Sequence, residues 1–284
     1  MPRSPAPSKA AGTQASPHFV LTAITNDPGL AARADAAGVD RVGIDIERLN
    51  KSARQGHLAH ARLSNHRLAD LADLAPVVRR AALFARLNPL HGESADEVAT
   101  ALAGHASVLM LPFFTRAAEV ESFVRLIDGR ARVVLLLETA AALVRLHDIL
   151  AVAGVDEVMV GLNDLHLSTG VGNPFELIAS DLMTLVSEQV RARGLAFGFG
   201  GVARAGDDTL PVPADLVLAQ HARLRSSAAW LSRSFFAALP ETADLGSEIG
   251  RLRRRLAYWF AQPEAALERE RDRLRRLLSE PAGR

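Results

Sequence analysis

The chain has 284 residues, a formal charge of +1, 49% hydrophobic residues and no cysteine. The near-zero charge gives no signal for nucleic acid or an anionic membrane surface. The missing cysteines exclude disulfides and Cys-ligated zinc and fit a reducing, cytoplasmic setting. The length suits one large domain, because α/β barrels run to about 200–250 residues as a single unit.

Residues 1–17, MPRSPAPSKAAGTQASP, are rich in Pro, Ala and Ser and lack an apolar core segment. They read as a disordered leader, not a signal peptide. No apolar run reaches the roughly 18 residues that a membrane span needs. From residue 18 short apolar runs alternate with Ala/Leu/Arg segments of helical period. The predicted strands are 18–25, 41–47, 83–88, 107–114, 132–139, 157–163, 195–201 and 228–235. Uninterrupted apolar strands separated by helices indicate a parallel sheet buried on both faces.

Among the helices, Asp27 is expected to cap a segment with Pro28 at its first position and Gly38 at its stop. Ser94 and Glu97 have capping-box spacing ahead of Gly104. Thr115 starts a third helix with only half a box, since Ala118 stands in the reciprocal place. Eight βα units over residues 18–240 predict a (β/α)8 TIM barrel, and no GxGxxG follows the first strand. Residues 241–284 are helical, basic and amphipathic, broken at Pro263, with an apolar stripe of Leu252, Leu256, Trp259 and Phe260. This C-terminal extension is expected to pack on a neighbouring subunit, the alternative being the chain's own barrel.

A TIM barrel carries its chemistry at the C-terminal strand ends. Strand five ends in Glu138 and strand six in Asp164, preceded by Gly161 and Asn163. Neighbouring strands lie about 4.8 Å apart, so the two carboxylates can converge on one ion. Hard oxygen ligands select Mg²⁺ or Mn²⁺. The alternative is that each carboxylate simply caps the next helix. Strand two places Asp45 and Glu47 on one side, and strand three offers Arg86, which could pair with Glu47, bind an anionic substrate, or both. Asn88 and His91 follow Arg86. Strand seven ends in Gly200 and Gly201 with Arg204 beyond, and strand eight in Ser232, Arg233 and Ser234. The loops after these two strands are the usual phosphate site of the fold. Only two lysines occur, Lys9 in the leader and Lys51 beyond a strand end. A Schiff-base mechanism therefore has almost no nucleophile. The inventory suits a metal-bound 2-oxo acid whose enolate is stabilised by the cation and the arginine.

The segments VGIDIERLNKSAR, ARLNPLHG, VLMLPFF, LLLETAAAL and VMVGLNDLHLSTG, in order across about residues 19–236, resemble the HpcH/HpaI aldolase and citrate lyase β-subunit family. The resemblance implies a (β/α)8 barrel with a divalent ion. It also implies C–C bond cleavage or formation through a pyruvate-type enolate, or cleavage of acyl-CoA thioesters. It makes Glu138 and Asp164 the metal ligands and Arg86 the group that binds the 2-oxo acid. It further implies trimers or hexamers with exchanged C-terminal helices. Two departures stand out. Position 48 is Arg, where the pyruvate aldolases carry a basic His and the citrate lyase branch an Asp. Phe113 and Phe114 follow Pro112, where a Lys often stands in the citrate-lyase-like branch. His91 and His166, expected in loops on the catalytic face, are the candidate replacement bases. An atypical subgroup is expected, with a sugar-like or phosphorylated aldehyde as partner. A citryl- or malyl-CoA-type lyase, and a barrel altered into a binding or assembly subunit, are the other readings.

Overall fold

A computed structural model of the chain describes residues 18–49, 64–237, 239 and 244–280. The leader, both lysines and the expected boundary at 240 lie outside the described residues. The eight expected strands are all present: β1 Val20–Ile24, β2 Arg41–Asp45, β3 Ala82–Arg86, β4 Val108–Leu111, β5 Arg132–Leu137, β6 Glu157–Val160, β7 Ala196–Val202 and β8 Ala228–Leu231. They pair in chain order, all in parallel, and β1 closes on β8, with Val20 opposite Ala228. The protein is therefore a closed TIM barrel with additional C-terminal helices.

The sequence builds this barrel by alternation. Side chains of one parity face the lumen and those of the other meet the helices. Phe84, Val108, Met110, Val134, Leu136, Met159 and Ala228 form a separate inner cluster. Val42, Ile44, Leu109, Leu135 and Val158 belong to the larger outer core against the helices. At the N-terminal end, Arg41 of β2 reaches across the barrel to Glu157 of β6, donating from Nη1 (3.0 Å) and Nη2 (2.6 Å) to its two carboxylate oxygens. Both are buried. Paired this way, the charges avoid most of the cost of burial. The same parity on β2 and β3 brings Asp45 and Arg86 to the opposite, C-terminal end.

Helix α1 (Pro28–Ala36) forms as expected, with Asp27 Oδ1 accepting from Leu30 N–H at 2.7 Å. Two other helix starts differ from the expectation. Helix α2 (Leu71–Leu74) is followed by α3 (Ser94–Ala103), whose N-cap is Glu93; Ser94 is the first helical residue. Ser94 Oγ accepts from His91 N–H, and Glu97 turns outward to Asn88 and His91, so no Ser94–Glu97 box forms. Helix α4 (Ala117–Ile127) begins two residues after Thr115. There Glu119 accepts from the backbone of Thr115 and Arg116, one place further along than the half-box reading put it.

The remaining helices are α5 (Ala140–Val144), α6 (Leu146–Ile149), α7 (Leu162–Thr169), α8 (Pro174–Ala179), α9 (Asp181–Ala192), α10 (Ala214–Arg223), α11 (Arg233–Ala237), α12 (Leu245–Phe260) and α13 (Glu264–Ser279). The last two break around Pro263 as expected. Helix α12 packs on α10 and α1, and α13 on α10 and α8. Leu252, Leu256 and Trp259 are buried there, against this chain's own barrel. Arg255 forks onto Asp215, while Arg253 reaches the Phe19 and Gly38 carbonyls and Asp40. Between the outer helices and the barrel, His221 of α10 stacks on Phe199 of β7 at 3.8 Å.

Candidate active site

Arg86 ends β3 opposite Asp45, the last residue of β2. Its Nε donates to Asp45 Oδ1 at 2.8 Å and its Nη2 to Oδ2 at 2.5 Å, a bidentate fork. Nη1 lies 3.2 Å from Glu47 Oε2. The guanidinium carbon, Cζ, lies over the Trp230 ring, 4.9 Å from its centre, within cation–π range. Burial opposes the charge on Arg86. Asp45 and Glu47 outweigh it, Glu138 adds to them, and the pKa rises above the ordinary arginine value. Arg86 is thus a permanent cation fixed on three sides at the C-terminal mouth.

Glu138 follows β5 directly and is 2% exposed. Its Oε1 accepts from Phe113 N–H at 3.0 Å. Phe113 holds a left-handed backbone, φ +51°, which aims that N–H. On the other side lies Gly161, at the end of β6. A Cβ on Gly161 would stand 2.5 Å from Glu138 Oε2, so the carboxylate occupies the space that a side chain would fill. Asp164 is also buried, but β6 stops at Val160 and Gly161 caps α7. Asn163 and Asp164 therefore lie in the first helical turn, not on the strand as expected. Asp164 is not the cap either.

Glu138 and Asp164 carry the donor type that a hard divalent cation takes. Each offers buried carboxylate oxygen, Glu138 is oriented by a backbone donor, and a glycine keeps its cradle open. Among the described residues no group of three or more His, Asp or Glu side chains is arranged to hold a metal. Two carboxylates are what Mg²⁺ commonly takes, with water and substrate completing its shell.

The two histidines chosen from the sequence do not join this group. His166 is buried on α7, not in a loop, with Nδ1 3.1 Å from the Leu162 carbonyl. It is two residues beyond Asp164, about 200° round the helix, so the two do not share a face. His91 does lie in a loop, with Nε2 3.2 Å from Glu97 and Nδ1 accepting from Glu93 N–H. It lines an open groove outside the barrel with Leu90, Ser122 and Arg125.

At the ends of β7 and β8 the expected residues have local neighbours, and Gly200 and Gly201 still belong to the strand. Gly200 has φ +46°, and a Cβ there would meet Leu162 at 2.8 Å. Gly201 packs on Ser232. Ser232 Oγ accepts from Phe235 N–H and bonds Ser234, both of them in α11, whose first residue is Arg233. Arg204 pairs with Asp207 at 3.4 Å.

Two mouth residues escaped the sequence reading. Trp230 alternates inward with Ala228 on β8, a parity that could have singled it out. His66 had no such signal. It accepts, through Nδ1, the backbone N–H of Asp45 at 3.1 Å. Arg48 holds its turn: Nε donates to Ser64 O at 3.2 Å and Nη2 to His66 O at 3.1 Å. Desolvation lowers the His66 pKa and Arg48 adds to this, against the opposing pull of Asp45 and Asp70.

Fold and mouth together define a TIM-barrel protein whose C-terminal end gathers buried carboxylates around an arginine. Residues 18–198 match the family described as HpcH/HpaI aldolase/citrate lyase, and the chain belongs to that family of lyases and aldolases. Similar solved structures include an HpcH/HpaI aldolase from Desulfitobacterium hafniense DCB-2. It is 16% identical, with 87% of this chain and 95% of that chain covered and a TM-score of 0.59. An HpcH/HpaI aldolase/citrate lyase family protein from Burkholderia cenocepacia J2315 is 18% identical, with 85% and 94% covered and a TM-score of 0.59. The citrate synthase SbnG is 19% identical, with 86% and 92% covered and a TM-score of 0.55. No curated protein matches the chain. The family match ends at Gly198, so Gly200, Gly201, Arg204, Trp230, Ser232 and Arg233 all lie beyond it.

Proposed function

We propose that the chain is a divalent-metal-dependent aldolase or lyase that forms or cleaves a C–C bond through the enolate of a pyruvate-like 2-oxo acid. The observation that carries this reading is the pairing at one mouth of a fixed cation, Arg86, with an oriented buried carboxylate, Glu138. Glu138 and Asp164 would hold Mg²⁺ or Mn²⁺, which when bound supplies Lewis-acid polarisation of the donor's keto group. Arg86 would meet the oxygen on which charge develops as the enolate forms. Asp45 and Glu47 hold it there before substrate arrives, so no reorganisation is needed at the moment of reaction. The partner is an aldehyde, sugar-like or phosphorylated, taken by the loops that carry Gly200, Gly201, Arg204, Ser232 and Arg233 beside Gly161 and Asn163. The expected setting is a cytoplasmic homo-oligomer, trimeric or hexameric. Among the described residues no helix is long and apolar enough to cross a membrane.

Deuterium exchange at the pyruvate methyl in D₂O tests the donor half. We expect exchange that EDTA abolishes and Mg²⁺ or Mn²⁺ restores. Glu138→Gln and Asp164→Asn should each lose at least about tenfold in metal affinity. Full exchange by metal-free protein would sink the reading. Turnover of acyl-CoA thioesters but not of free 2-oxo acids would favour the citryl- or malyl-CoA-type alternative, which the same family match supports.

A further inference from the structure

We propose that His66 donates a hydrogen bond from Nε2 to the oxygen of the acceptor aldehyde, held in place for that task by Arg48. The proposal rests on the aldolase reading above and assigns its second substrate a partner. The geometry runs through one backbone group. Asp45 ends β2 and spends its side chain on Arg86. Its N–H faces the β1 side, where the hydrogen-bonded strand β1 has ended at Ile24. His66 Nδ1 takes that N–H. A ring nitrogen that accepts a hydrogen bond carries no proton, so the neutral ring is fixed with its proton on Nε2. Protonating Nδ1 would set two N–H groups against each other.

His66 is half-buried beside the end of β2. Among the described residues, the charged groups facing the ring are Asp45, Asp70 and Arg48. Arg48 does not project its guanidinium into the mouth. Two of its donors close on the Ser64 and His66 carbonyls, and its backbone N–H is held by Asn88 at 2.9 Å. The arginine thus pins the turn that presents the imidazole.

A ring locked this way is a donor and not a base. In the addition direction the enolate carbon bonds to the aldehyde carbon, and the C=O π electrons move onto oxygen. His66 Nε2–H would stabilise that oxyanion, and water would supply its proton. In cleavage the same donor stabilises the same oxyanion.

The test compares two readouts on Mg²⁺-loaded protein: methyl exchange of pyruvate in D₂O, and addition of pyruvate to glycolaldehyde as probe acceptor. His66→Leu should lose addition about 100-fold, as removal of one oxyanion donor commonly does, and lose exchange far less. His66→Gln, which can accept from Asp45 N–H and donate outward, should restore much of the loss. Arg48→Met should lower addition and spare exchange. Independently of any variant's folding, the long-range ¹H–¹⁵N spectrum of the wild-type ring should show the Nε2–H tautomer near neutral pH. Undiminished addition by His66→Leu, equal loss of exchange and addition, or an Nδ1–H tautomer would each overturn the assignment. Absence of exchange in the wild type would overturn the aldolase reading with it.

Discussion

Gly161 holds no side chain, and Glu138 uses the room. Alanine there would put a Cβ 2.5 Å from Glu138 Oε2 and 2.9 Å from its Cβ, so the carboxylate must swing away from the Phe113 N–H. Gly161→Ala should cost about 1–3 kcal/mol of stability through overpacking. It should also weaken Mn²⁺ binding at least about tenfold, as loss of ligand orientation does. Thermal melts and titration calorimetry check both, and unchanged Mn²⁺ affinity would remove Glu138 from the proposed ligand set. At this scale the sequence was informative where a residue's role follows from strand parity. Asp45, Glu47 and Arg86 were legible because alternation puts them on one face, and the structure joins them. His66 was not legible. Its link to the mouth is a hydrogen bond to backbone, 21 residues away, which leaves no pattern in side-chain type. His166 lies in a helix and not in the expected loop, and His91, in its loop, faces Glu97, because position after a strand says nothing of helical phase or of a competing local acid.

Helix α10 shows how an element is secured. Its His221 is fully buried, stacked on Phe199, with Nδ1 3.0 Å from Ser226 Oγ. Ser226 gives its own proton to Ala228 O, so it accepts from His221 Nδ1–H and leaves Nε2 as a buried lone pair. Desolvation lowers the ring's pKa to about 3. The unfolded chain, with an ordinary value of about 6.5, takes up the proton first as pH falls. Stability should therefore be intact above about pH 6.5 and fall by at most about 1.4 kcal/mol per pH unit below it, towards the folded value. The drop in melting temperature between pH 7 and 5 should shrink in His221→Phe, which keeps the stack; an equal drop would sink this account. The helices outside α10 make a second prediction. Leu252 of α12 is fully buried, so Leu252→Ala should cost about 2–5 kcal/mol in urea unfolding. A cost below about 1 kcal/mol would mean that the tail is only loosely seated. Helix starts were the least legible elements. Ser94 and Thr115 matched capping patterns, yet Glu93 and Arg116 stand at the caps, because side-chain partners from the preceding loops decide the turn.

The whole barrel was the most legible level. Eight apolar runs at βα spacing leave few alternatives, since strands buried on both faces must be apolar throughout. Only their ends blurred: at β8, where α11 begins two residues after Leu231 although the strand was expected to run to 235, and at β6, where α7 begins two residues after the strand and carries Asn163 and Asp164 with it.

The pair at the base of the barrel, Arg41 with Glu157, bears on traffic. These strands stand opposite each other in the ring, and the pair spans the lumen beneath the packed layer of Phe84 and Met159. The vessel has a stopper at one end. On the proposed aldolase reading, donor, acceptor and product would share a single doorway, and the molecule that sits deepest would enter first and leave last. Strictly ordered kinetics would be the imprint of a salt bridge that touches no substrate.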